Sequence, residues 1–175
     1  ITFAEATGQG GYTYTPAVDP QEFTTRLLGT AADQEYIDAN VRQADGTYRF
    51  TKYSKITYEN ATAEEAGVIH PSADVKVDAS GHALEIITNV DGADQTAAVR
   101  NSGKNLEIKA GTLRLQANPE ENYTLYAWGI RNESGTTTVS GMTEIGAVGY
   151  SSSRAVEATE GKVTLEGLKA KLIGI

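Results

Sequence analysis

Short stretches in which hydrophobic and polar residues alternate recur along the second half of the chain. Residues 74–78, 105–109, 112–116 and 162–166 alternate with a period of two, which is typical of strands that bury one face. Glycine-containing turn signals separate such stretches; they are residues 44–46, 79–81, 91–92, 101–103, 133–135 and 160–161. Regularly spaced turns between short strands favour a sandwich or barrel. We therefore predict a mainly β fold, an antiparallel, jelly-roll-like β-sandwich.

The N-terminal third adds one or two short helices to this prediction. Asp19 is followed by Pro20 and, three residues after the cap, by Glu22, a sequence typical of a helix start. This helix would run to Leu28. Residues 32–43 form a second candidate helix, which could equally be a strand.

No internal repeat is evident, so residues 12–175 are interpreted as a single domain. Residues 1–11 read as an apolar strand followed by a glycine-rich hinge at Gly8, Gly10 and Gly11. A tethered strand of this kind can complete the sheet of a neighbouring copy, with Ile1 and Phe3 as anchors. The alternative is an ordinary first strand that pairs within its own sheet.

Composition and charge exclude several functional classes. The net charge is −8 and the basic residues are scattered, which argues against a nucleic-acid surface. No stretch approaches the roughly 18 apolar residues of a membrane helix, so we expect no membrane insertion. The chain lacks cysteine and begins at Ile1 rather than Met. Removal of a signal peptide would fit this start, and we predict an extracellular or cell-surface location.

Residues that commonly perform catalysis are scarce. His70 and His82 are the two histidines, and neither sits in a recognisable motif with a nucleophile. We therefore predict no catalytic residue, no enzymatic activity and no cofactor. Asn89, Asp91 and Asp94 place oxygen ligands at a spacing that resembles part of a calcium loop. The late glutamate of that pattern is missing, and a turn at Asp91 is the favoured interpretation.

Two further patterns concern glycans. Asn60, Asn122 and Asn132 each begin an Asn-X-Ser/Thr sequence and are glycosylation candidates if the protein is exported in a suitable organism. Residues 123–128 contain Tyr123, Tyr126 and Trp128, whose rings could stack on sugars. Packing of Tyr126 and Trp128 in the core is the favoured alternative.

In general character the chain resembles filament-forming surface subunits of bacteria and archaea that assemble by strand donation. That resemblance implies a self-assembling structural subunit of an extracellular filament, pilus or surface layer, whose partners are other copies of itself. Two alternatives stay open. One is a virion protein, either a tail-tube or a capsid-decoration subunit, and the other is a carbohydrate-binding adhesin module.

Overall fold

Long parallel strands dominate the architecture. A computed structural model describes residues 2–3, 14–15, 19–28, 35–59, 67–90, 92–119, 124–167 and 170–174. Its elements are β1 (Thr2–Phe3), β2 (Tyr14–Thr15), β3 (Gln21–Phe23), α1 (Glu35–Val41), β4 (Tyr48–Arg49), β5 (Ser54–Tyr58), β6 (Val75–Thr88), β7 (Ala93–Ala117), β8 (Thr124–Ala147), β9 (Ser152–Glu166) and β10 (Ala170–Gly174).

The strands β3 to β10 form a β-solenoid of about four turns. Within it β6, β7, β8 and β9 pair in parallel, each with the next. Residue partners lie 31 positions apart at Val75 and Leu106, and 26 apart at Trp128 and Arg154. Each coil of the chain therefore stacks on the preceding coil in register.

The prediction of an antiparallel, jelly-roll-like sandwich is wrong, because every pairing in the main sheet is parallel. The prediction of a mainly β fold is confirmed. Five of the six predicted turn signals contain a glycine at positive φ, and the sixth, at residues 160–161, lies within β9. Gly46, Gly81, Gly92, Gly103 and Gly135 all have positive φ. The chain bends there into a corner and continues around the same coil instead of reversing as in a hairpin.

Each coil contributes strand segments to three faces. The first face holds residues 48–49, 75–79, 106–110, 137–140 and 163–166. The second holds 21–23, 54–58, 83–88, 112–117, 143–147 and 170–174. The third contains Leu27, Ile69, and residues 97–101, 128–132 and 154–158.

Hydrophobic side chains fill the space between the three faces in columns, with one residue from each coil. Equivalent residues in adjacent parallel strands lie about 4.8 Å apart, so each side chain packs on its counterpart. The columns are Tyr48, Val77, Ile108, Val139 and Leu165; Phe23, Ile56, Ile86, Leu115 and Ile145; and Leu27, Ile69, Val99, Ile130 and Val156.

Glycines form a column at the corner between the first and second faces. They are Gly81, Gly111, Gly141 and Gly167, and successive coils touch at their backbones. A Cβ atom added at Gly141 would lie 2.0 Å from the Ala110 carbonyl oxygen, and one added at Gly167 would lie 2.2 Å from the Gly141 oxygen. The expectation that the chain lacks an internal repeat is therefore wrong, because these glycines recur once per coil.

An asparagine ladder fills the inside of the next corner. Asn101 and Asn132 are fully buried and are register partners in β7 and β8. Asn101 Nδ2 donates to Asn132 Oδ1 at 3.1 Å, and Thr137 Oγ1 donates to the same oxygen at 2.7 Å. The Lys104 amide donates to Asn101 Oδ1 at 2.9 Å. The ladder thus satisfies polar groups that the tight corner would otherwise leave buried without partners.

Charged side chains form a matching ladder on the outside of the second face. Lys55, Glu85, Arg114 and Glu144 are successive register partners. Arg114 lies between two carboxylates, 3.2 Å from Glu85 Oε2 and 3.5 Å from Glu144 Oε1. A shift of one residue would place hydrophobic side chains in these positions, so the ladder favours the observed register.

The N-terminal third departs from the helix predictions. Residues 19–28 contain β3 and a bridge at Leu27 rather than the predicted helix. The second candidate segment, residues 32–43, contains α1. Ile37 and Val41 of α1 belong to the same buried cluster as Tyr48. This helix therefore packs against the first coil of the solenoid core.

Substitution of Gly141 by Ala tests whether the close approach of coils at the glycine column is needed. Gly46 is the matched control. Like Gly141 it has a positive φ, +83°, but nothing lies within 4 Å of a Cβ atom added to it. We expect Gly46→Ala to lose about 1–2 kcal/mol from backbone strain alone. Gly141→Ala has the same backbone strain and, in addition, a clash with the backbone of the preceding coil. We therefore expect it to lose about 1–3 kcal/mol more than Gly46→Ala. Urea unfolding followed by circular dichroism measures both, and equal losses would contradict the close-packed corner.

Candidate functional site

The C-terminal end of the solenoid presents a sheet edge. Both β9 and β10 pair with β8 on one side, and within the described part of the chain no strand pairs with their other side. A sheet edge of this kind carries backbone N–H and C=O groups that can accept a further strand. We call this surface the C-terminal edge and define it as β9 together with β10.

Hydrophobic side chains at this edge are incompletely covered. Val156, Val163 and Leu165 of β9 are partly buried and pack against the core. Their partners one coil earlier include Ile130 and Val139, which are fully buried. The difference arises because β8 is covered by coils on both sides, whereas the described residues cover β9 on one side. The edge therefore combines backbone hydrogen-bonding groups with an apolar strip.

A second surface lies on the outside of the third face. The Tyr126 and Trp128 rings stack with centroids 6.2 Å apart and planes at 21°. The Arg131 guanidinium carbon lies 4.3 Å from the Trp128 ring centroid, so Trp128 is held between Tyr126 and Arg131. Arg154 is the register partner of Trp128 on β9. We call these four residues, with the neighbouring Tyr150, the aromatic–arginine surface.

Arginine residues on adjacent coils share one carboxylate beside this surface. Arg100 and Arg131 are register partners, and Glu133 Oε1 accepts from Arg100 Nη2 at 3.0 Å and lies 3.3 Å from Arg131 Nε. Burial alone would raise the pKa of Glu133. Hydrogen bonds from Ser102 and Arg100, together with the two arginine charges, lower that pKa below its ordinary value. Glu133 therefore stays ionised between the two cations.

His70 lies next to this cluster, because the Arg100 amide donates to the Ile69 carbonyl at 2.8 Å. Burial lowers the pKa of His70 below 6.5, and the charges of Arg100 and Arg26 lower it further, while Glu133 acts in the opposite direction. The neutral imidazole is therefore favoured in the folded state. His82 lies elsewhere, exposed on β6.

A groove of about 660 Å³ runs along the first face. Its wall includes Asp74, which accepts from the Asn105 amide at 2.9 Å and from Asn105 Nδ2 at 3.1 Å. Lys76 Nζ lies 3.6 Å from Glu107 Oε2 in the same wall. These groups bind one another across adjacent coils.

The calcium candidate is not assembled by the described residues. Asn89 is buried, Asp94 is exposed, and Asp91 lies outside the described residues. Among the residues that the structure describes, no group of three or more His, Cys, Asp or Glu side chains could hold a metal ion. The absence of enzymatic activity and of a cofactor remains a prediction.

One glycosylation candidate can be located. The Asn132 side chain is fully buried, and its Nδ2 atom, to which a glycan would be attached, lies 3.3 Å from the Gly135 oxygen. Glycosylation at Asn132 would therefore require this corner to open. Asn60 and Asn122 lie outside the described residues.

Of the donor-strand residues, Phe3 belongs to β1, which pairs antiparallel with β2 in a separate two-stranded sheet. Ile1, Gly8, Gly10 and Gly11 lie outside the described residues. Of the candidate sugar-binding rings, Tyr126 is 40% exposed and Trp128 only 5%. Tyr123 lies outside the described residues.

The sequence analysis did not identify Asn101, or the neighbouring arginines Arg100 and Arg131, as residues of interest. A signal for them exists, because Arg100–Asn101 and Arg131–Asn132 are identical pairs 31 residues apart, each followed by a glycine within three residues. The glycine column repeats at a similar interval. Together these repeats mark successive corners of a solenoid.

Among the described residues, no helix is both long and apolar enough to span a membrane. Comparisons of the chain with protein-family models, curated proteins and solved structures give no match. The chain's own residues therefore carry the functional argument.

The pH dependence of stability tests the environment of His70, which is partly buried beside the charges of Arg100 and Arg26. Because the pKa of His70 is lowered in the folded protein, the unfolded chain takes up the proton first as the pH falls below 6.5. We expect the unfolding midpoint of the natural chain to fall between pH 7 and pH 5 more than that of His70→Gln. The matched control is His82→Gln, which should keep the natural dependence. Parallel curves for all three proteins would contradict this electrostatic environment.

Proposed function

We propose that the chain is a self-assembling structural subunit of an extracellular filament, pilus or surface layer. Copies would join by β-augmentation, in which a strand of one copy adds to the C-terminal edge of the next. The observation that carries this proposal is the incomplete cover of β9, where Val156, Val163 and Leu165 are half-buried on a sheet edge. A strand added there would bury these side chains and pair the free backbone groups.

The two ends of the solenoid differ in a way that supports this direction of assembly. At the first coil, α1 packs its Ile37 and Val41 into the core cluster, as a capping element does in repeat proteins. No comparable element among the described residues packs on β9. Among the described residues, the edge at β9 is therefore the surface that a further strand can cover.

The N-terminal strand β1 is the proposed donor, with Ile1 and Phe3 as anchors and Gly8, Gly10 and Gly11 as the hinge. Among the described residues it lies outside the eight-stranded sheet and pairs with β2 over two residues. A two-stranded sheet of this size is marginally stable in water. Exchange of β1 to the edge of another copy would therefore disrupt little structure within its own chain.

A lysine on the inner side of the C-terminal edge tests the proposal. We expect the natural chain to form oligomers in sedimentation velocity and Val163→Lys to remain monomeric, because an inward charge on an edge strand blocks strand addition. The matched control is Thr164→Lys, which changes the adjacent residue on the opposite side of the strand and should still assemble. Thermal unfolding must show that both variants are folded.

Two results would overturn this proposal. One is a natural chain that stays monomeric over the whole concentration range, and the other is a Val163→Lys variant that assembles as well as Thr164→Lys. Deletion of residues 1–11 tests the donor separately. If the deletion variant still assembles while Val163→Lys does not, the edge is the interface but β1 is not the donor. Closed rings or tubes in negative-stain micrographs would favour the virion alternative.

A further inference from the structure

The aromatic–arginine surface contains two exposed aromatic side chains. Tyr126 and Tyr150 are the exposed large hydrophobic side chains among the described residues, at 40% and 81%. Both lie at one corner, because the Tyr150 amide donates to the Thr124 carbonyl at 2.7 Å, two residues before Tyr126. Two exposed rings at one place on a sheet face mark an interaction surface rather than scattered exposure.

Cations accompany these rings although the protein as a whole carries a net charge of −8. Arg100, Arg131 and Arg154 lie on three adjacent coils, and the acidic partners given by their ion pairs are Glu133 and Glu157. Three guanidinium groups therefore meet two carboxylates. Burial lowers the pKa of His70 most, and the charges of Arg100 and Arg26 beside this surface lower it further.

Arg154 is the most accessible of the three guanidinium groups. Its side chain is 52% exposed, against 22% for Arg100 and 23% for Arg131, and its Nη1 donates to Glu157 Oε1 at 3.0 Å. A guanidinium has five N–H donors. Arg154 can therefore keep its contact with Glu157 and still bind an anionic group in the bidentate geometry that arginine favours.

We propose that the aromatic–arginine surface binds an acidic oligosaccharide. Arg154 holds a carboxylate or sulfate group of the sugar, and the Tyr126 or Tyr150 ring stacks on the apolar face of the adjoining pyranose. Arg131 packs on Trp128, with its guanidinium 4.3 Å from the ring centroid, and Trp128 stacks on Tyr126. These contacts position the Tyr126 ring before a ligand binds.

The charge of the protein distinguishes this ligand from a nucleic acid. A phosphate backbone would need many clustered cations, and the surface offers only a small excess of positive charge on an acidic protein. One acidic group beside a sugar ring needs one guanidinium and one aromatic face. This binding uses other groups than assembly does: Arg154 lies on β9, but its side chain is exposed, whereas strand addition uses the backbone and the half-buried side chains of that strand.

Trp128 provides a direct reporter of binding, because it is the single tryptophan of the chain and lies between Tyr126 and Arg131. The natural chain is titrated with a sulfated heparin-derived hexasaccharide, with a hexagalacturonate and with neutral maltohexaose, and tryptophan fluorescence is recorded. We expect a saturable change with at least one acidic sugar and none with maltohexaose. The two acidic probes distinguish a sulfate from a carboxylate ligand.

Variants assign the binding to this surface. We expect Arg154→Gln to raise the Kd about tenfold, as loss of a charged hydrogen bond does, and Tyr126→Ala to weaken binding while Tyr126→Phe retains it. The matched control is Lys109→Gln, which removes one exposed positive charge from the first face and should leave the Kd unchanged.

Three outcomes would overturn the proposal. The first is an absence of any fluorescence change with both acidic sugars. The second is an equal effect of Arg154→Gln and Lys109→Gln. The third is equally tight binding of inorganic polyphosphate together with insensitivity to Tyr126→Ala, because that combination would indicate a general attraction of anions without recognition of a sugar.

Discussion

The in-register stacking of coils is the constraint on which the rest of this structure depends. A single coil cannot bury its own hydrophobic residues, because its inner side chains find neighbours only in the coils before and after it. Columns such as Val99, Ile130 and Val156 are the direct consequence. The same constraint explains the difference between the ends, since α1 packs on the first coil, whereas β9 keeps half-buried valines at its edge.

Corners and outer ladders maintain this register. At the glycine column, the backbone of one coil occupies the space of a side chain in the next. At the asparagine ladder, Asn101 and Asn132 donate and accept inside the corner, where water has no access. Outside, Arg114 between Glu85 and Glu144 opposes a shift of one coil relative to another. Each of these contacts joins adjacent coils, so each one stabilises the stacking.

The two proposed interactions use different groups of the solenoid, although both involve β9. Growth by strand addition uses the edge of β9, which lies along the direction of coil stacking. Recognition of a sugar uses side chains that point outward from the third face, such as Tyr126 and Arg154, which are set by the register Trp128 to Arg154. Because Arg154 belongs to β9, a strand added to this edge would lie beside the aromatic–arginine surface.

In the second half of the chain, the sequence alone determined where most strands and corners lie. Period-two alternation marked the inner faces, and the glycine signals marked positions of positive φ such as Gly81 and Gly103, because both depend on local preferences. It did not determine strand direction. Alternation with one polar face is usual for antiparallel sheets, and the same local pattern serves a solenoid coil whose outer face is solvated. Likewise Asn132 reads as a surface sequon yet is buried in a ladder with Asn101, because its environment comes from residues a full coil away. Only the tertiary structure decides which distant segments become neighbours, and that choice created the stacked core, the C-terminal edge and the aromatic–arginine surface.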